Sequence, residues 1–109
     1  MLRVVKNAIL NVMSERDEVL VVLRTVLPEL RQSWPIRSLA LFGSVARGEA
    51  GPVSDLDILV EFEAPVGLSE FLALEDKLSV LTDRRVELVS RRALKPFIGR
   101  HILREAVPV

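Results

Sequence analysis

Asp55 and Asp57 stand two residues apart at the head of an apolar run, Ile58-Leu59-Val60. Such a run is a strand signal, and successive side chains on a strand alternate faces. Both carboxylates therefore project to the same side, roughly 7 Å apart at their Cα atoms. Two like charges held side by side repel each other and are costly unless a cation lies between them. A divalent metal, magnesium first, handling a nucleoside triphosphate is the economical explanation.

The residues upstream fit that chemistry. Arg37-Ser38-Leu39-Ala40-Leu41-Phe42 reads as a strand that runs into Gly43-Ser44, and Arg47-Gly48 follows. Gly43 lets the backbone approach a ligand closely or adopt a positive φ. Ser44 offers a hydroxyl, and the next helical turn offers free N–H groups, so the turn can hold the β and γ phosphates of a nucleotide. The Arg47 guanidinium suits either phosphate or Asp55, which it would brace against the loop. Gly-Ser alone is common at strand-to-helix turns, and Asp pairs are common in turns. The combination Gly43, Ser44, Arg47, Gly48, Ser54, Asp55 and Asp57 is different, because by composition it arises at fewer than about one in 10⁸ starting points.

With 109 residues there is room for one domain, 1–109, and one core, and half the residues are hydrophobic. No apolar stretch reaches the roughly 18 residues of a membrane span, and the start lacks the pattern of a signal peptide. The absence of cysteine excludes disulfides and thiolate chemistry and fits a reducing cytoplasm. Net charge is zero but segregated: residues 43–83 carry two basic and nine acidic side chains, whereas residues 84–104 carry seven basic ones against Glu87 alone. That arrangement is either a pair of balanced solvated faces or a basic rim beside an acidic metal site, suited to a polyphosphate or an acidic partner.

The remaining pattern is α+β. Ser14 with Glu15, Asp17 and Glu18 starts a helix over about 15–33, which Pro28 should bend or interrupt near residue 27. Trp34 reads as a lid on the core. Gly51-Pro52 marks a loop, residues 55–62 a second strand, and about 70–82 a second helix capped by Ser69. Residues 85–89 form a third strand, followed by a basic helix interrupted near Pro96 and Gly99. Residues 1–13 are an extra element, helix or strand, or an extended start.

At residues 41–48 and 54–57 the chain resembles the nucleotidyltransferases related to DNA polymerase β, and most closely the minimal nucleotidyltransferase (MNT) family. The resemblance spans about residue 15 to the C-terminus, and the chain's length suits a minimal member. It implies a palm-like fold, a small mixed sheet with helices packed on one side. It also implies a third carboxylate on the next strand in a Val-Asp-Leu-Val context; here the match is Val86-Glu87-Leu88-Val89, with a carboxylate about one ångström further out. Asp55, Asp57 and Glu87 would then be catalytic and hold one or two Mg²⁺ ions, with Gly43, Ser44, Arg47 and Ser54 binding ATP. The acceptor hydroxyl would attack the α-phosphorus, and pyrophosphate would leave.

The resemblance further implies an antitoxin that transfers AMP to a tyrosine of a HEPN-domain ribonuclease toxin. The alternatives are an antitoxin acting by contact alone, its catalysis weakened by Glu87, and an aminoglycoside-type small-molecule nucleotidyltransferase. His101 has neither cysteine nor a second histidine to share a zinc site and reads as an exposed or capping residue. Phe97 is the only aromatic among the basic residues 84–104, which argues against direct nucleic-acid binding by stacking. A homo-oligomer stays open.

Overall fold

The computed structural model describes residues 13–49 and 55–109. The expectations for residues 1–12, for the Gly51-Pro52 loop and for Ser54 lie outside the described residues. Helix α1 spans Glu15–Ser33; the Ser14 hydroxyl accepts the Asp17 N–H at 3.1 Å, and three acids occupy the first turn. Its buried stripe, Val19, Leu20, Leu23, Leu27 and Leu30, follows the helical period. Of the bend or interruption expected at Pro28, the interruption does not occur: the helix runs unbroken through it. Pro28 sits on the solvent side, so the carbonyl it leaves unbonded, that of exposed Arg24, can turn to water.

Strand β1 (Ile36–Phe42) leads into the one-turn helix α2 (Gly43–Ala46). Strand β2 (Leu56–Phe62), helix α3 (Leu68–Thr82) and strand β3 (Val86–Ser90) follow. Helix α3 starts one residue before Ser69, and its first turn is closed by Glu70, whose carboxylate accepts the Gly67 N–H at 2.7 Å. After a 3₁₀ turn (Arg91–Ala93) comes helix α4 (Pro96–Glu105). Pro96 opens this helix rather than breaking it, as a missing N–H costs nothing in the first turn. Gly99 lies inside it without interruption, buried, where an added Cβ would meet Leu94 Cβ at 3.1 Å. A two-residue strand β4 (Val107–Pro108), unforeseen in the sequence, ends the sheet.

The sheet order is β3-β2-β1-β4, with β2 and β3 parallel and the other pairs antiparallel. Leu39 and Leu41 of β1, Leu56, Ile58 and Val60 of β2, and Val86 and Leu88 of β3 join α1 and α3 in one core. The alternate residues, among them Asp57 and Glu87, are thereby turned to the other face. Leu23, Leu74 and Leu78 are fully buried, each contributing about 1.5–3 kcal/mol. Trp34 packs half-buried against this core and donates its indole N–H to the Glu70 carbonyl at 2.8 Å, joining the end of α1 to the start of α3. No helix among the described residues is long and apolar enough to cross a membrane.

Candidate active site

Parallel pairing of β2 with β3 sets Asp57 opposite Glu87, and antiparallel pairing sets Phe42 opposite Asp57. Three chain segments distant in sequence thus meet at one end of the sheet: the Gly43 turn, the start of β2 and the start of β3. Burial, then the charge and hydrogen bond of Glu87 and the charge of Asp55, push the Asp57 carboxyl above the usual carboxylate range, while Arg47 pulls it back. Asp57 is half-buried, and Glu87 is exposed on its outer side.

Gly43 is required here. Its φ is +77°, and a Cβ at this position would lie 2.9 Å from the Asp57 carboxylate carbon. The missing side chain is what lets the carboxylate lie against the turn. Ser44 follows in α2, partly exposed, and its carbonyl accepts the Glu49 N–H at 2.9 Å. Gly48 also has positive φ, +73°, which turns the chain out of this helix.

Of the two roles expected for Arg47, the contact with Asp55 is not formed; Arg47 donates to Glu49 at 3.0 Å and to Glu105 of α4 at 3.2 Å. Asp55, at the exposed edge just before β2, lies 4.0 Å from Arg85 instead. Among the described residues no three acidic or histidine side chains close on one point, because Asp57 faces Glu87 while Asp55 turns to Arg85. His101 is exposed and sits 3.4 Å from Glu105, one helical turn on.

Two residues that sequence reasoning passed over hold Glu87 in place. β3 is an edge strand, so the N–H groups of Val86 and Leu88 have no strand partner outside β2. Val86 donates to Ser79 Oγ at 3.1 Å, and Leu88 donates to Glu75 Oε2 at 2.8 Å. Both acceptors come from α3, one turn apart, and the bonds flank Glu87 on either side. Nothing local marks them: Glu75 and Ser79 look like ordinary polar helix positions until α3 is laid beside β3.

Residues 23–109 match the family described as nucleotidyltransferase domain. Protein adenylyltransferase MntA of Thermococcus cleftensis is 42% identical over 93 residues, covering 85% of this chain and 94% of that relative. A solved structure provisionally described as a minimal nucleotidyltransferase superposes with a TM-score of 0.74 at 38% identity, over 87% of this chain and 96% of the other. A chain from the complex of tri-AMPylated Shewanella oneidensis HEPN toxin with MNT antitoxin superposes with a TM-score of 0.63 over 83% of this chain and 70% of its own length. At 21% identity that last likeness shows the fold alone.

Proposed function

The chain belongs to the nucleotidyltransferase domain family, and from that premise we propose that it transfers AMP from ATP to a tyrosine hydroxyl of a HEPN-type ribonuclease toxin, acting in the cytoplasm as the toxin's antitoxin. The observation that carries the chemistry is the register of Asp57 against Glu87 beside the Gly43 turn. The choice of a protein acceptor is supported by the 42% identity to MntA.

The residues fit magnesium. Asp57 and Glu87 are hard oxygen donors in mutual contact, and the raised affinity of Asp57 for a proton marks a spot that gains from any cation. Asp57 and Glu87 would hold the metal, joined by Asp55 once it gives up its contact with Arg85. When bound, the metal neutralises triphosphate charge and makes the acceptor hydroxyl more acidic.

The chain's own residues supply positioning. Gly43 admits a phosphate close to the backbone, and the Ser44 hydroxyl donates to it. Ser54 joins the proposed nucleotide-binding residues on the strength of the sequence motif alone. The Arg47 guanidinium lends positive charge to the same turn from its seat between Glu49 and Glu105. Glu87, on the open side of the pair, accepts the proton of the acceptor hydroxyl at a carboxylate oxygen. The bond from the acceptor oxygen to the α-phosphorus forms as the bond to the β-phosphate oxygen breaks, and pyrophosphate departs.

The test is transfer of labelled AMP from ATP to a HEPN-domain ribonuclease toxin co-expressed with this chain, and its loss in the Asp55→Ala/Asp57→Ala double variant. Failure of the intact protein to label that partner would overturn the reading. Should the double variant still protect cells from the toxin, neutralisation by contact would replace transfer as the mode of action.

A further inference from the structure

Helix α4 carries features that the transfer chemistry leaves unused. Phe97 is 82% exposed, Ile98 54% and Leu103 41%, an apolar content that a ten-residue surface helix does not need for its own packing. Between α4 and the preceding 3₁₀ turn runs a groove of about 430 Å³. Leu94, Gly99 and Leu103 contribute to its apolar lining, and Arg91, Lys95 and Arg100 bring positive charge to it.

The charges around it are not balanced within the chain. Arg91 pairs with Glu61 at 2.7 Å, but Arg92, Lys95, Arg100 and Arg104 have no ion-pair partner among the described residues. No acidic residue occurs between Glu87 and Glu105. Glu105 itself is engaged by Arg47, which fastens the C-terminal end of α4 to the Gly43 turn. Ten helical residues span about 15 Å, so α4 runs that far from the groove at its start to the Glu105 contact with Arg47 at its end.

We propose that this groove docks an acidic segment of the acceptor protein, an apolar side chain entering between Leu94 and Leu103 while carboxylates meet Lys95 and Arg100. The inference rests on the reading that the acceptor is a protein. Charge complementarity selects an acidic occupant and steers its approach. The apolar lining favours a peptide over a nucleic-acid backbone, which would use the cations and leave Leu94 and Leu103 uncovered.

The experiment measures two quantities separately: binding of a purified HEPN-domain ribonuclease toxin without ATP, and AMP transfer to it with ATP. Native chain is compared with Lys95→Glu/Arg100→Glu and with Leu103→Asn, each checked for unchanged Tm and unchanged AMP-PNP affinity. The expected result is a partner Kd and a partner KM both at least about tenfold higher in the variants, with kcat little altered. Binding that persists in the native chain without transfer would overturn the proposed function and leave the groove standing. Transfer with variants indistinguishable from native would overturn the groove alone. No binding by the native chain would overturn both. Variants that lose affinity for a labelled RNA oligonucleotide but keep the protein partner would reassign the groove to RNA and overturn the proposal.

Discussion

At the acidic end of the sheet Asp57 is fixed from three sides: by the strand pairs to Phe42 and Glu87, by the Gly43 turn, and by buried neighbours Leu56 and Ile58. Helix α4 has the reverse construction. Of its ten residues only Gly99 is buried, and four cations in and just before it find no carboxylate among the described residues. The first region holds like charges together inside a rigid frame, as the proposed metal and phosphate site would require. The second stores unpaired charge and exposed apolar surface on a lightly held element, as a surface that meets a partner can. The contrast teaches where this chain needs sub-ångström placement and where it needs only complementarity.

The contrast is broken most forcefully by Asp57→Asn. Transfer should fall by more than about 100-fold, yet the metal-free protein should melt at the same temperature or higher, because a repelling charge has gone. The pH dependence carries the same sign. The folded-state pKa of Asp57 is raised, by burial foremost, so its favourable contribution is present while it is protonated and is lost as pH rises through that elevated pKa. Metal-free native protein should therefore lose stability over that rise, Asp57→Asn should lose less, and added magnesium should restore the native protein alone. Calorimetry across pH with and without magnesium reads all three; an Asp57→Asn protein that melts lower throughout would show the carboxylate to be structural.

Gly43→Ala comes next. The left-handed backbone alone costs an alanine about 1–2 kcal/mol, and its Cβ would also displace the Asp57 carboxylate. Both Tm and transfer should drop, and the loss of stability, which Asp57→Asn should not show, should persist at low pH. Glu75→Ala should cost about 1 kcal/mol by stranding the Leu88 N–H. If the bond positions Glu87, kcat falls while partner KM holds, and Glu75→Gln, which keeps an acceptor oxygen, recovers most of kcat.

These residues also mark what sequence could convey. The Gly43 turn and the buried stripe of α1 are local, set by a backbone angle and helical period, and are legible; the shared face expected of Asp55 and Asp57 needs both on the strand, but β2 begins at Leu56 and Asp55 lies by Arg85 instead. Glu87 entered only by resemblance to a family, because the register of β3 against β2 depends on a crossover through α3. The partners of Arg47, the clamps from Glu75 and Ser79, and the brief β4 are long-range pairings with no local signature. Neither Pro28 nor Pro96 breaks its helix, for one reason: the cost of a proline depends on whether the freed carbonyl meets water or the N–H was needed, which position in the fold decides.

The smallest effect is the most discriminating between the two regions. Among the described residues Glu105 links them, accepting from Arg47 at 3.2 Å. Because the pair is largely solvated, Glu105→Gln should change stability by less than about 1 kcal/mol. If α4 acts as a separate docking element, the variant should leave AMP-PNP affinity intact and alter only transfer to the partner, since the docked acceptor would be held less firmly relative to the turn. If AMP-PNP affinity falls as far as transfer does, α4 shapes the nucleotide turn directly. The acidic site and the basic helix would then be one unit, and the division between rigid chemistry and adaptable docking would have to be redrawn with Arg47 at its centre.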